Sequence, residues 1–146
     1  MNINTFNNHL YDDKNDVIKY LKGGSDFGSH EFVRWYKDKD VVKVAIEKNY
    51  SAFEYLPTEM KKDYEFCLWA IKQSNACFRY VSEELKHNKE FVKEVIKIDA
   101  ENLLIIPVQF KCDSDILNEV SKQKRGELLL ASMVRKIPVK ANKLSI

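Results

Sequence analysis

DKDVVKVAIEKNYSAFEYLPTEMKK, residues 38–62, is followed directly by DYEFCLWAIKQSNACFRYVSEELKH, residues 63–87, and the two stretches align without a gap. The same order of residue types returns in residues 88–112 and, more weakly, in residues 113–137. A fixed step of 25 residues is typical of tandem structural repeats, in which each unit buries its apolar face against its neighbours. The sequence therefore predicts four helix-turn-helix units, the fourth weaker than the others.

The first half of each unit has the pattern of an amphipathic helix, which we name helix A. Val41, Val42, Ala45 and Ile46 and their equivalents one repeat on form a single apolar stripe. Each helix A is preceded by a residue whose side chain can cap a helix N-terminus: Asp38, Asp63, Asn88 and Asp113. Its end is expected near Asn49, Ser74, Asp99 and Lys124.

A second, shorter apolar stripe follows, which we name helix B. It consists of Phe53, Tyr55 and Leu56 in the first unit, with equivalents in the others. A residue suited to begin a further helical turn comes next: Pro57, Ser82, Pro107 and Ser132. This register also assigns residues 103–108, LLIIPV, to a helix, although alone they could form a buried strand.

The two ends of the chain depart from the repeat. Residues 1–37 are predicted to form an N-terminal helical cap, with one helix from Asp12 or Asp13 to Leu21 and a second capped by Ser29. A last helix is expected from Glu127 to Lys136, followed by a basic tail, residues 137–146. The predicted fold is thus all-α: a short solenoid over residues 38–136 behind a helical cap, in one domain overall.

The composition is that of a globular protein. Hydrophobic residues make up 45% and charged residues 32% of 146 residues, and glycine and proline are few, which favours helices. No secretory signal or apolar stretch long enough to span a membrane is visible. We therefore expect a cytoplasmic protein, or one delivered into a host by a leaderless route.

The amino-acid sequence of the repeats resembles that of a known family. Ala45-Ile46-Glu47-Lys48-Asn49, with its counterpart Ala70-Ile71-Lys72-Gln73, is similar to the bacterial tandem helical repeats called domain of unknown function 4116. The resemblance covers about half the chain and implies a helical repeat scaffold, often found in host-associated bacteria, with no assigned chemistry. The family favours glycine directly after helix A, where this chain has Tyr50, Asn75 and Ala100.

No residue pattern points to catalysis. His9, His30 and His87 are scattered, and phosphate-binding or nucleophile motifs are absent from the sequence. Cys67 and Cys77 occupy positions where other units have Val42 and Ala52, so they are expected to be small core residues. We predict a protein that is not an enzyme and that uses neither a cofactor nor a metal.

The second unit breaks the polar pattern of helix A with Tyr64, Leu68 and Trp69. At these positions the other units carry Lys39, Lys43 and Val44 or their largely polar equivalents. Exposed aromatic groups of this kind are common in protein interfaces, so the three residues are a candidate partner-binding site. The alternative is that the N-terminal cap, with Phe27, Phe32 and Trp35, covers them.

Two functions follow as hypotheses. The first is a protein-binding module, for example an effector or inhibitor that blocks a larger protein, or an adaptor. The second is binding of RNA or single-stranded nucleic acid, because seven basic against four acidic residues lie in residues 113–146. The candidate nucleic-acid contacts are Lys122, Lys124, Arg125, Arg135 and Lys136.

Overall fold

The computed structural model describes residues 12–24, 27–28 and 30–136, and every regular element among them is a helix, which confirms the all-α class. The α-helices are α1 Lys14–Lys22, α2 Lys39–Lys48, α3 Thr58–Lys61, α4 Tyr64–Gln73, α5 Glu83–Lys86, α6 Lys89–Ile98, α7 Ser114–Ser121 and α8 Lys124–Arg135. The 3-10 helices are His30–Trp35, Tyr50–Tyr55, Asn75–Tyr80, Ala100–Leu104 and Val108–Phe110. The chain divides after Asn88 into two compact units.

The helix-A predictions are confirmed at most positions. The side chains of Asp38, Asp63 and Asp113 accept hydrogen bonds from backbone N–H groups in the first turns of α2, α4 and α7. α2 and α4 end directly before Asn49 and Ser74, where the backbone becomes extended. No described residue other than glycine has a positive φ, so the turn after helix A does not require the glycine that the family favours there.

Helix B is a 3-10 helix in each of the first three sequence units, Tyr50–Tyr55, Asn75–Tyr80 and Ala100–Leu104. With three residues per turn, Phe53 and Leu56 share one face and both are buried. Tyr55 lies off this face and is exposed, as is Ile105 two steps of the repeat further on, while Tyr80 between them is half-buried. The prediction that this middle position belongs to the buried stripe is therefore wrong.

A series of lysines holds each helix B to the short turn that follows it. The ammonium groups of Lys61, Lys86 and Lys111 each donate a hydrogen bond to the backbone carbonyl seven residues earlier. The Nζ–O distances are 2.6, 2.9 and 2.8 Å, and the acceptors are the carbonyls of Glu54, Arg79 and Leu104. The three bonds recur at the sequence step of 25 residues.

A second series of lysines joins the start of one long helix to the N-cap of the next. In the first compact unit, Lys39 pairs with Asp63 at 2.7 Å. In the second compact unit, Lys89 pairs with Asp113 at 2.9 Å. In both pairs the lysine ammonium binds an aspartate that also caps the N-terminus of the next long helix. Each lysine therefore joins the helix on which it lies to the one that follows. Lys39 holds the pKa of Asp63 below its ordinary value by this hydrogen bond.

The N-terminal segment begins with α1, which is capped by Asp13 and ends at Gly23, as predicted. Gly24 has φ 95°, a left-handed conformation that suits glycine. The following segment is helical but is a 3-10 helix, His30–Trp35. Its predicted cap, Ser29, lies outside the described residues.

The fourth sequence unit departs from the prediction. α7 ends at Ser121 rather than near Lys124, and α8 begins at Lys124 rather than at Glu127. Ser132 lies inside α8 and begins no new turn. The side chain of Gln123, between the helices, accepts from the Ala100 N–H at 2.9 Å and donates to the Ile96 carbonyl at 2.7 Å. The predicted tail, residues 137–146, lies outside the described residues.

Across the described residues, no helix is both long enough and apolar enough to cross a lipid bilayer.

Candidate functional site

Tyr64, Leu68 and Trp69 do not form the exposed group that the repeat comparison predicts. Leu68 is buried, with 9% of its surface exposed, and Tyr64 and Trp69 are half-buried. The reason is that α4 packs against α2, α3 and the 3-10 helix Asn75–Tyr80, so its neighbours cover more than one stripe. The expectation that Leu68 faces solvent is therefore wrong.

The Trp69 ring has two close neighbours. The Phe66 ring lies 5.7 Å away between centroids, and the Lys43 ammonium of α2 lies 5.3 Å from the Trp69 ring centre. These two side chains, which cover part of the Trp69 ring, belong to α2 and to α4 itself. Trp69 is a packed side chain with a cation over it, and only part of its surface is available to a partner.

Of the ten large apolar side chains that are exposed in the described part of the chain, six lie in the second compact unit. Leu104 is 57% exposed, Val108 82% and Leu128 68%. Ile105, Met133 and Val134 are also exposed. α8 is a 12-residue helix in which Gly126 is the only buried residue, although its sequence contains LLLA and MV. Exposed apolar side chains concentrated in this way are typical of binding surfaces.

The repeat comparison, applied to the second half of the sequence unit, identifies two of these residues. The position of Leu104 is occupied by Glu54 and Arg79 in the first two units, and all three residues are exposed. The position of Val108 is occupied by Thr58 and Glu83. Repeat geometry therefore does not require an apolar residue at either position. The sequence therefore contains a signal for both residues, and it lies outside the polar face of helix A.

Leu104 and Leu128 meet at an open groove, which we call the apolar groove. Its volume is about 490 Å³, and it is lined by Glu101, Leu104, Arg125, Leu128 and Leu129. Arg125 lies at its rim, where one guanidinium nitrogen is 3.8 Å from a carboxylate oxygen of Glu101. The same guanidinium nitrogen also lies 3.8 Å from a carboxylate oxygen of Asp99. The groove thus has leucine side chains and a rim that carries both signs of charge.

The contact that positions the groove is the close approach of α8 to α7. A Cβ atom on Gly126 would lie 1.8 Å from the backbone oxygen of Val120, so any larger residue would displace α8. Gln123 holds the same corner to α6 and to the 3-10 helix Ala100–Leu104. These contacts place Leu128 beside Leu104.

The five candidate nucleic-acid contacts are all exposed, but two of them have acidic partners. Lys122 pairs with Glu119 at 2.7 Å, and Arg125 has the two acidic neighbours at the groove. Lys124 and Arg135 are three helical turns apart on α8 and so lie on the same side of it. Lys136 caps the C-terminal end of this helix.

A smaller pocket lies in the first compact unit. It has a volume of about 340 Å³ and is lined by six residues: Val33, Arg34, Tyr36, Lys37, Tyr55 and Pro57. The rings of Tyr36 and Tyr55 are stacked with their centroids 6.3 Å apart. Arg34 is engaged by Asp12, and its guanidinium also lies over the Trp35 ring. The residues that line this pocket include no histidine, cysteine or carboxylate.

Two of the cysteine thiols lie in the core. Cys67 and Cys77 are fully buried, as expected of small core residues, and burial raises their pKa to about 12 and about 11. Cys112 is exposed. Within the described part of the chain, no three histidine, cysteine or acidic side chains come together as metal ligands.

The described chain is therefore an all-helical protein whose most distinctive surface is an apolar groove. The family model described as Domain of unknown function (DUF4116) matches residues 38–86, about a third of the chain, which confirms the resemblance to this family. No curated protein and no solved structure matches the chain. The family description names no activity.

Proposed function

We propose that the chain is a non-enzymatic tandem-repeat protein, a short solenoid, that binds another protein through the apolar groove of its second compact unit. The observation that carries this proposal is the exposure of Leu104 and Leu128 in the groove, at 57% and 68%. Val108, which is 82% exposed, lies outside the lining of the groove. Neighbouring leucines that are exposed to water lower the solubility of a protein, and a bound partner would remove them from water. Blocking a larger protein is one role that such binding would serve.

The repeat supports this proposal independently of the groove. The lysine-to-carbonyl bonds of Lys61, Lys86 and Lys111 recur at one sequence step, and so do the N-caps of α2 and α4. Stacked repeats present extended surfaces on which single positions can vary without disturbing the core. Leu104 and Val108 are variations of this kind, because they replace charged or hydroxyl-bearing residues of the earlier units.

The proposal is tested with residues taken from the second unit of the repeat. The double variant Leu104→Arg with Val108→Glu places here the residues that the second unit has at the equivalent positions, Arg79 and Glu83. We expect the melting temperature to stay within a few degrees, because both positions are exposed. Proteins captured by the natural chain from a cell lysate, identified by mass spectrometry, should be lost from the variant.

The matched control is Glu54→Arg with Thr58→Glu, which makes the same changes in the first unit. This control should retain the captured proteins. If the natural chain and the groove variant capture the same proteins equally well while both remain folded, the groove is not the binding surface and the proposal is overturned.

Nucleic-acid binding is the second candidate, and the observation in its favour is the shared side of Lys124 and Arg135 on α8. It is the weaker candidate, because Lys122 pairs with Glu119 and the carboxylates of Asp99 and Glu101 beside Arg125 would repel a phosphate group. Binding through phosphates weakens steeply as salt is raised, since counterions are released on association. A labelled single-stranded RNA titrated at increasing salt concentrations tests it, and an affinity that does not fall with salt would reject it.

A further inference from the structure

We propose that the occupant of the apolar groove is a second copy of this chain, bound about a two-fold axis so that the two grooves face each other. The inference rests on the proposed protein-binding function and adds the identity of the partner. In such an isologous contact the same surface serves both copies, so the surface must be complementary to itself.

The charges at the rim meet this requirement. Arg125 and Glu101 line the same groove, one cationic and one anionic, and both side chains are at least half exposed. A partner surface of a single sign would be attracted by one of them and repelled by the other. A two-fold rotation instead brings Arg125 of each copy to Glu101 of the other, so both charges are matched at once.

The geometry within one chain leaves these charges available. Both N–O distances from Arg125, to Asp99 and to Glu101, are 3.8 Å, well beyond the spacing of a charge-assisted hydrogen bond. The Arg125 side chain is 72% exposed. Its donors can therefore turn to a second carboxylate without breaking a short hydrogen bond inside the chain.

The apolar part of the groove meets the same requirement. Leu104 and Leu128 line the same groove as the charged pair and are exposed, and the half-buried Leu129 lines it with them. Apolar contacts bordered by polar groups are the usual composition of a protein interface. When two copies meet, the leucines of each would cover those of the other and be removed from water.

The test begins with sedimentation velocity of the full chain over a wide concentration series. The mass is expected to rise from 17.1 kDa towards twice that value as concentration increases. Leu104→Arg should raise the dimer dissociation constant by about tenfold or more, and Glu54→Arg, at the same repeat position in the first unit, should leave it unchanged.

Charge exchange in trans supplies the decisive measurement. Arg125→Glu alone places like charges opposite each other in both symmetry-related contacts, and so does Glu101→Arg alone, so neither variant should self-associate. An equimolar mixture of the two variants should form a heterodimer, because every contact then joins opposite charges. A role confined to one chain would not be restored by mixing. Melting curves of each variant verify that it is folded.

The outcomes separate this inference from the proposed function. A natural chain that stays monomeric at every concentration overturns the inference. If that monomer still captures another protein and loses it with Leu104→Arg, the protein-binding function stands with a different partner. A dimer that survives Leu104→Arg and both charge variants uses another surface, which also overturns the inference.

Discussion

Replacing Gly126 with alanine should destabilise the protein, although the same change stabilises most helices. Gly126 lies in α8 and has no positive φ, so alanine is compatible with its backbone and would gain about 1 kcal/mol of helix propensity. The added Cβ would, however, lie 1.8 Å from the Val120 oxygen, where an ordinary contact is 3.4 Å or more. α8 would have to move by roughly 1.5 Å, the difference between these distances.

This clash is with backbone and cannot be relieved by turning a side chain. Overpacking typically costs about 1–3 kcal/mol, and a backbone contact belongs at the upper end, so we expect a net loss of about 2 kcal/mol after the propensity gain. Chemical denaturation followed by circular dichroism measures it. Ala131→Gly, at an exposed position of the same helix, is the control for propensity alone. A Gly126→Ala variant as stable as the natural chain would refute the close approach of α8 to α7 and, with it, the geometry of the groove.

Three further predictions concern the polar contacts of the repeats. Folding lowers the pKa of Asp63 from its ordinary value of 3.8, so the ionised Asp63 stabilises the protein fully above about pH 3.8, and this stabilisation is lost as the pH falls through the lower pKa of the folded state. Asp63→Asn keeps a capping oxygen but has no proton to gain, so the melting temperature of this variant should fall less in acid than that of the natural chain. Lys86→Met keeps the aliphatic stem but removes the 2.9 Å bond to the Arg79 carbonyl, and should cost about 1–2 kcal/mol in urea denaturation. Asn102→Ala removes a fully buried side chain whose Oδ1 has no hydrogen-bond partner, at a position that is Ala52 in the first unit, so unfolding free energy should change by no more than about 1 kcal/mol. A loss of several kcal/mol in this last variant would mean that the bond from Nδ2 to a main-chain carbonyl outweighs the unpaired oxygen.

The helix boundaries were predictable because their signals are local. A cap such as Asp38 acts on N–H groups two and three residues away, so its effect can be read from neighbouring residues. The repeat assigned residues 103–108 to a helix rather than a strand. No strand is present there, but only Leu103 and Leu104 lie in helix B, and residues 105–107 form the turn before the next 3-10 helix. At the C-terminal end, where the repeat weakens, the boundaries of α7 and α8 were wrong by about three residues.

The exposed surface was not predictable in the same way, because burial depends on how many neighbours an element has. Leu68 stands at a position that is polar in other units, yet it is covered because α4 packs against three elements. Tyr55 was assigned to a buried stripe by α-helical spacing, whereas a 3-10 helix turns it outward. The lysine-to-carbonyl bonds were missed because a charged residue on a helix is usually interpreted as a solvated one.

Those bonds have a consequence for how the chain folds. Lys61, Lys86 and Lys111 each reach back only seven residues, so every such contact closes a very short loop. Chains whose contacts are local have low contact order and reach their native state quickly, since little loop entropy is lost before the first favourable contacts form. A 3-10 helix and the turn after it can therefore assemble before any distant part of the sequence arrives, and each repeat can act as its own nucleus.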